Sequence, residues 1–182
     1  MEVIDTGIEG LKLIKPLVFN DHRGYFFESY SEIKLPEDDR YKWVQDNESK
    51  STKGVLRGLH YQCGIHSQTK LVRAVVGSIY DVAVDIRPES KTYGKCYGVE
   101  LNDENKLQLL IPRGFAHGFL VLSDEAIFSY KCDNYYNKES EGGLFYNSPS
   151  IEINWPMDER DIILSDKDRE QPHFGDHKPV FA

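Results

Sequence analysis

No apolar run in these 182 residues approaches the roughly 18 that a membrane span needs. The opening residues, Met-Glu-Val-Ile-Asp-Thr-Gly, lack the basic and apolar regions of a secretion signal, so the chain reads as cytoplasmic. Runs of Lys or Arg are missing too. With 22 basic against 30 acidic residues and a net charge of −8, nothing offers the positive patch that a phosphate backbone requires. Nucleic acid is therefore not an expected partner, and neither is a membrane. Cysteine is scarce: Cys63, Cys96 and Cys132 are odd in number, widely spaced and without a CxxC pair. That excludes a disulfide framework or zinc knuckle and leaves reduced, structural thiols. Internal repeats, low-complexity tracts and linkers are also absent, and the length suits one domain spanning 1–182.

Apolar spacing of three and four is not sustained anywhere over ten residues, so long helices are not expected. What recurs instead is period-two alternation with β-branched and aromatic residues. It is clearest at 79–86, where Tyr80, Val82, Val84 and Ile86 share one face and Ile79, Asp81, Ala83 and Asp85 the other. Its expected partner is 70–76, across a turn at Gly77-Ser78. Further strands are predicted at 11–14, 24–30, 43–45, 55–61, 97–101, 108–111, 118–122 and 126–132. Short helical pieces are predicted at 31–35, 103–106 (capped by Asn102) and 158–161. Strands this short and even predict a mostly-β chain, a cupin-like jelly-roll barrel or sandwich. Aromatics make up 12% of the chain, enough for some rings to line a ligand groove.

Two histidines stand beside glycines in separate strand-rich segments, Gly54-Val-Leu-Arg-Gly-Leu-His60-Tyr-Gln62 and Pro112-Arg-Gly-Phe-Ala-His117-Gly118. In a β-barrel such a pair can bind metal. A metal-binding barrel of this kind would carry His-x-His followed by a carboxylate, whereas here Gln62 stands two after His60 and the cation Lys70 follows. An ammonium repels a divalent ion, so no metal is expected. His60 is then free for proton transfer near neutral pH. Asp81 and Asp85, on one strand face, read as a solvated or Arg-paired face and not as a catalytic pair.

A longer pattern surrounds these residues: Asp21-His-Arg-Gly-Tyr-Phe-Phe-Glu28, Val44-Gln-Asp-Asn-Glu-Ser-Lys-Ser51 and the His60 segment itself. It continues through Lys70-Leu-Val-Arg73, Tyr80-Asp-Val-Ala-Val-Asp-Ile-Arg87, Ile111-Pro-Arg-Gly-Phe-Ala-His-Gly-Phe119, Tyr130-Lys-Cys-Asp-Asn-Tyr-Tyr136 and Leu164-Ser-Asp-Lys-Asp168. In this order the segments resemble the dTDP-4-dehydrorhamnose 3,5-epimerase family over nearly the whole chain.

That resemblance implies an isomerase needing no cofactor, which inverts C3 and C5 of dTDP-4-keto-6-deoxyglucose after the C4 carbonyl has acidified their hydrogens. By similarity His60 is the general base, Asp168 its partner, Lys70 the cation facing the C4 oxygen, and Tyr130 the proton donor on the opposite face. The same likeness gives substrate-binding roles to Arg23, Phe26, Glu28, Gln45, Asn47, Arg57, His117, Glu141 and Lys167, and to one of Tyr135 and Tyr136 packing on the thymine. It implies a homodimer in which a strand near 24–30 is exchanged so that residues of one chain reach the other's site. One departure is local: Thr69 stands where the family often has glycine before the lysine. Rival readings are an epimerase of C3 alone or C5 alone, a 3,4-ketoisomerase (disfavoured by His60-Tyr-Gln62 in place of His-x-His), a metal-dependent cupin, and a non-catalytic sugar-nucleotide binding module.

Overall fold

In the computed structural model, residues 1–181 are described, and nearly all the regular structure is antiparallel sheet. One sheet has the order β1 (Glu2–Asp5), β2 (Lys12–Lys15), β10 (Gln108–Ile111), β7 (Lys70–Val76), β12 (Glu125–Cys132), β5 (Gln45–Thr52). The other has the order β13 (Glu141–Gly143), β6 (Leu56–Gln62), β11 (Phe115–Val121), β8 (Ser78–Asp85), β9 (Cys96–Asn102). A separate two-stranded hairpin joins β3 (Val18–Asp21) to β4 (Gly24–Phe27). The sequence-based expectation of a mostly-β, cupin-like jelly roll is met.

The alternation explains the layering. Val72, Ala74, Leu109 and Phe128 of the six-stranded sheet meet Ile79, Ala83, Leu101, Phe115 and Phe119 of the five-stranded sheet in one buried cluster. The opposite face of β8, with Val82 and Val84, packs under the C-terminal segment through Leu144, Ile151 and Val180. The outer face of the six-stranded sheet is covered in part by Leu35, Tyr41 and Trp43 against Ile14, Leu71 and Leu110. Among the described residues no helix is long and apolar enough to cross a membrane.

Several expectations need correction. The segments β7 and β8 are strands, but they do not form a hairpin. Both edges of β7 are occupied by β10 and β12, and β8 lies between β11 and β9 in the other sheet. The single residue between them, Gly77 at φ +75°, carries the chain across, and a Cβ there would sit 2.1 Å from the Glu125 carbonyl. The helix expected at 103–106 is a turn. Asn102 does cap it, its Oδ1 accepting from the Glu104 and Asn105 N–H groups, but Lys106 at φ +55° bends the backbone back before a helix can propagate. The other two pieces are single 3-10 turns, Glu32–Lys34 and Glu159–Asp161. Strands β1, β3 and β13 and nearly all of β5 lie outside the expected segments, as does the single-turn helix α1 (Asp166–Arg169), whose N-cap Ser165 accepts from the Asp168 N–H.

Candidate active site

The two sheets part at one end of the core, where Phe119 and Phe128, with ring centroids 4.2 Å apart, form the floor of a cavity of about 500 Å³. A second lobe of about 280 Å³ shares His60, Lys70 and Tyr130 with it. His60 rises from β6 in the five-stranded sheet, while Lys70 on β7 and Tyr130 on β12 belong to the six-stranded sheet. The imidazole and the phenol thus stand on opposite walls of one space.

The His60 strand is set by glycine. A Cβ on Gly58, at φ +127°, would meet the Gly118 Cα at 2.6 Å, and one on Gly118 would meet the Arg57 carbonyl at 2.6 Å. The two strands touch backbone to backbone there, at a register shift between His117 and Phe119, and His60 lies directly opposite His117.

His60 Nε2 lies 2.5 Å from Asp168 Oδ1 on α1. Burial pushes the Asp168 carboxyl up, but the hydrogen bond and charge of His60, with bonds from Ser165 and the Gly58 N–H, outweigh it and hold the group below the ordinary carboxylate value. An ionised Asp168 fixes the Nε2–H tautomer and leaves Nδ1 for a substrate. His60 is about a third exposed while Asp168 is buried, so the imidazole is reachable and its partner is not.

Across the cavity, burial raises the Tyr130 phenol above its ordinary value, with Cys132 adding to the effect and Arg57 opposing it. A neutral O–H is therefore the form available at neutral pH, as a proton donor must be. Burial lowers the Lys70 ammonium, against the opposing influence of Cys132, Asp81 and Glu141. Its Nζ lies 5.9 Å from the Tyr130 ring centroid. Cys132 itself is pushed up to about 11 by burial and stays a neutral thiol, accepting from Asn47 Nδ2 at 3.7 Å. Among the described residues no three His, Cys, Asp or Glu side chains gather as a metal-ligand set.

This His–Asp pair facing a Tyr and a Lys across a jelly-roll lumen falls within residues 5–176, which match the family model described as dTDP-4-dehydrorhamnose 3,5-epimerase. The chain belongs to that family. It is an isomerase family. A dTDP-4-dehydrorhamnose 3,5-epimerase of Shigella flexneri is 53% identical over 97% of both chains. The crystal structure of the enzyme of that name from Elizabethkingia anophelis is 54% identical, covers 97% of each chain and superposes with a TM-score of 0.92. A dTDP-6-deoxy-D-glucose-3,5-epimerase from Legionella pneumophila, crystallised in complex with dTDP-4-keto-L-rhamnose, is 47% identical with a TM-score of 0.91, over 96% of this chain and 93% of that one.

Most family positions named from the sequence fall around the two lobes. Arg57, His117 and Lys167 line the larger, and Gln45, Asn47, Tyr136 and Glu141 the smaller. They are cross-tied: Gln45 Nε2 donates to Asn47 Oδ1 at 3.0 Å, the Gln45 Oε1 accepts from the Tyr136 N–H, and Lys167 pairs with Glu141. Arg57 Nε is held by Ser51 Oγ at 2.9 Å. Tyr135 is exposed and lines neither lobe, so of the two tyrosines Tyr136 is the one at the groove. Arg23, Phe26 and Glu28 are also outside both lobes. Arg23 is engaged by Asp21 on the exposed hairpin, Phe26 is two-thirds exposed, and Glu28 pairs with Lys34.

Thr69 keeps Lys70 in register without glycine: its N–H donates to Asp133 Oδ1 at 2.6 Å and its carbonyl accepts from the Asp133 N–H. Asp81 and Asp85 do not form a solvated face; both are fully buried. Asp85 is Arg-paired as expected, bound by Arg87 with Ser90 and Thr92 around it. Asp81 instead takes the His117 ring. The sequence reading also passed over Ser49, Ser165, Phe119 and Phe128, all on the cavity wall. For Phe119 the alternation along β11 is a signal, and Ser49 and Ser165 lie inside the ordered motifs at 44–51 and 164–168.

Proposed function

We propose that the chain converts dTDP-4-keto-6-deoxy-D-glucose to dTDP-4-keto-L-rhamnose by inverting C3 and C5. The observation that carries this reading is a His60–Asp168 dyad on one side of the cavity, with Tyr130 and Lys70 on the six-stranded sheet across from it. His60 removes the proton α to the carbonyl and Asp168 stabilises the resulting imidazolium. Negative charge builds on the C4 oxygen, where the Lys70 ammonium meets it. Tyr130 returns a proton from the opposite side of the ring, which inverts the centre instead of restoring it. Gln45, Asn47, Arg57, His117, Glu141 and Lys167 hold the sugar and diphosphate, and Tyr136 stacks on the base.

The reading includes a homodimer. Arg23, Phe26 and Glu28 are outside their own chain's cavity on an exposed hairpin, and exchange of that hairpin would bring them to a partner's site. A monomeric mass by light scattering at micromolar concentration would refute this part. Three free thiols without a pair suit a reducing cytoplasm.

The test is incubation with dTDP-4-keto-6-deoxyglucose in D2O, following deuterium at C3 and C5 by NMR and trapping product with a 4-keto reductase, with His60→Ala as control. Deuterium at both carbons and trapped dTDP-L-rhamnose are expected. Exchange at a single carbon would indicate a mono-epimerase, and none at all would refute the reading.

A further inference from the structure

The site holds two His–Asp pairs, and the mechanism above employs one of them. His117 lies directly across the β6–β11 ladder from His60, and its Nε2 is 3.0 Å from both Asp81 Oδ1 and Asp81 Oδ2. Asp81 is wholly inaccessible and His117 is 7% exposed, yet His117 still lines the cavity. Asp81 points inward from β8 on the same face as Ile79 and Ala83, both part of the apolar core. Among the described residues the His117 ring is its single hydrogen-bonding partner. An ionised carboxylate is costly to bury, and a chain that needed only packing at this position would be served by an apolar residue.

The two pairs differ in access. His60 is open enough to collect and release a proton, whereas His117 is walled in, stacked on Phe128 with ring centroids 6.0 Å apart. A carboxylate straddling Nε2 accepts a proton-bearing nitrogen there, which leaves Nδ1 as the ring nitrogen not taken by Asp81.

We infer that Asp81 is a positioning residue for the epimerisation, acting through His117, whose Nε2–H it fixes so that Nδ1 accepts from a substrate hydroxyl in a single orientation. The inference rests on the function proposed above, but its first test does not. Histidine ring 15N correlations on the unliganded wild-type protein, assigned by loss of the signal in His117→Gln, should show His117 protonated at Nε2. A His117 ring protonated at Nδ1 with Nε2 free overturns the inference whatever the protein's activity.

The second test is kinetic, on Asp81→Asn, His117→Gln and the double variant, each first checked for native near-UV circular dichroism. Asp81→Asn is expected to lower kcat about 10- to 100-fold, by analogy with the loss on removing the hydrogen-bond partner that orients a metal-bound histidine. In the His117→Gln background the same change should add less than about threefold, because the group it acts through is gone. Equal losses in both backgrounds would make Asp81 a structural residue and overturn the inference. If Asp81→Asn does not fold, Asp81→Glu, which keeps the charge, enters the same cycle. Inactivity of the wild type would count against the proposed function and leave the 15N result standing.

Discussion

Replacing Asp168 by Asn should be more damaging than replacing it by Ala, although Asn is the closer mimic. Three donors converge on this carboxylate: the His60 ring at 2.5 Å, the Ser165 hydroxyl and the Gly58 N–H. Alanine removes the acceptor and with it a charge-assisted hydrogen bond worth about 1.5–3 kcal/mol. If that energy is expressed mainly when the imidazole is protonated, kcat falls about 10- to 10²-fold. Asparagine does something different. Its amide offers one acceptor and one NH2 where there were two acceptors, and the Gly58 N–H cannot change from donor to acceptor. Imidazole can, by moving its proton to Nδ1. The Asn NH2 is thus expected to donate to Nε2 and to place the ring proton on the nitrogen that should receive the substrate's. Locking the wrong tautomer costs up to about 10⁴-fold in Ser-His-Asp triads, so Asp168→Asn is expected about 10³- to 10⁴-fold below wild type. The assay is initial-rate deuterium uptake at C3 with the reductase trap, with dTDP affinity by calorimetry expected to change less than about threefold for both variants. Activity of the Asn variant equal to or above that of the Ala variant would refute the tautomer argument.

Tyr130→Phe should retain deuterium exchange at C3 while losing inverted product by at least about 10²-fold, the ordinary contribution of a positioned general acid, as read by the same NMR and trap. Lys70→Gln should lower kcat about 10²- to 10³-fold with little change in dTDP affinity, because the charge it stabilises exists in the transition state and not in the nucleotide. Gly118→Ala should destabilise by about 1–3 kcal/mol in a urea melt, since its Cβ would lie 2.6 Å from the Arg57 carbonyl and 3.1 Å from the Gly58 Cα, backbone atoms that cannot swing aside as the nearby Leu59 side chain can. Asp85 gives the pH dependence. Burial raises its carboxyl, but hydrogen bonds from Arg87, Ser90 and Thr92 prevail and hold it below its ordinary value. A depressed carboxyl stabilises the fold above the unfolded value near about 4 and loses that contribution as pH falls through the folded value. Asp85→Asn should therefore lower the urea midpoint at pH 7 and lower it much less at pH 3; an equal loss at both would refute the ionic account.

How much of this was legible in the sequence depended on which way apolar side chains face. Strand β10 was read with its bounds correct because all four of its residues are buried. Strand β5 was nearly invisible: Gln-Asp-Asn-Glu-Ser-Lys-Ser-Thr has no apolar residue, yet its burial alternates between half-buried and exposed for most of its length. Its inward residues Gln45, Asn47 and Ser49 line the lumen that holds the ligand groove, so the face that should carry the hydrophobic signal carries polar groups instead. In β8 the Arg-paired alternative holds for Asp85 and the solvated one fails for both carboxylates. Asp81 and Asp85 alternate with Ile79 and Ala83 on one face, and two buried apolar neighbours on that face were enough to place the carboxylates inside.

The opposition of His60 and Tyr130 could not have come from periodicity. It depends on which sheet each strand joins, and the error at Gly77 shows how that information escapes a local reading: β7 and β8 adjoin in sequence, share a turn residue and separate into different sheets. Eight ordered motifs supplied by resemblance what pattern could not. The resulting division is chemically consistent. The five-stranded sheet carries both histidines, one of them paired with its own Asp81 and the other with Asp168 from α1, while the six-stranded sheet carries Lys70 and Tyr130. In the proposed mechanism proton acceptance is thus built on one wall and charge stabilisation with proton donation on the other, so a ring held between them meets base and acid from opposite faces. On that mechanism, the same residues on a single wall would exchange hydrogens without inverting a centre, so the mechanism depends on sheet assignment as well as residue identity.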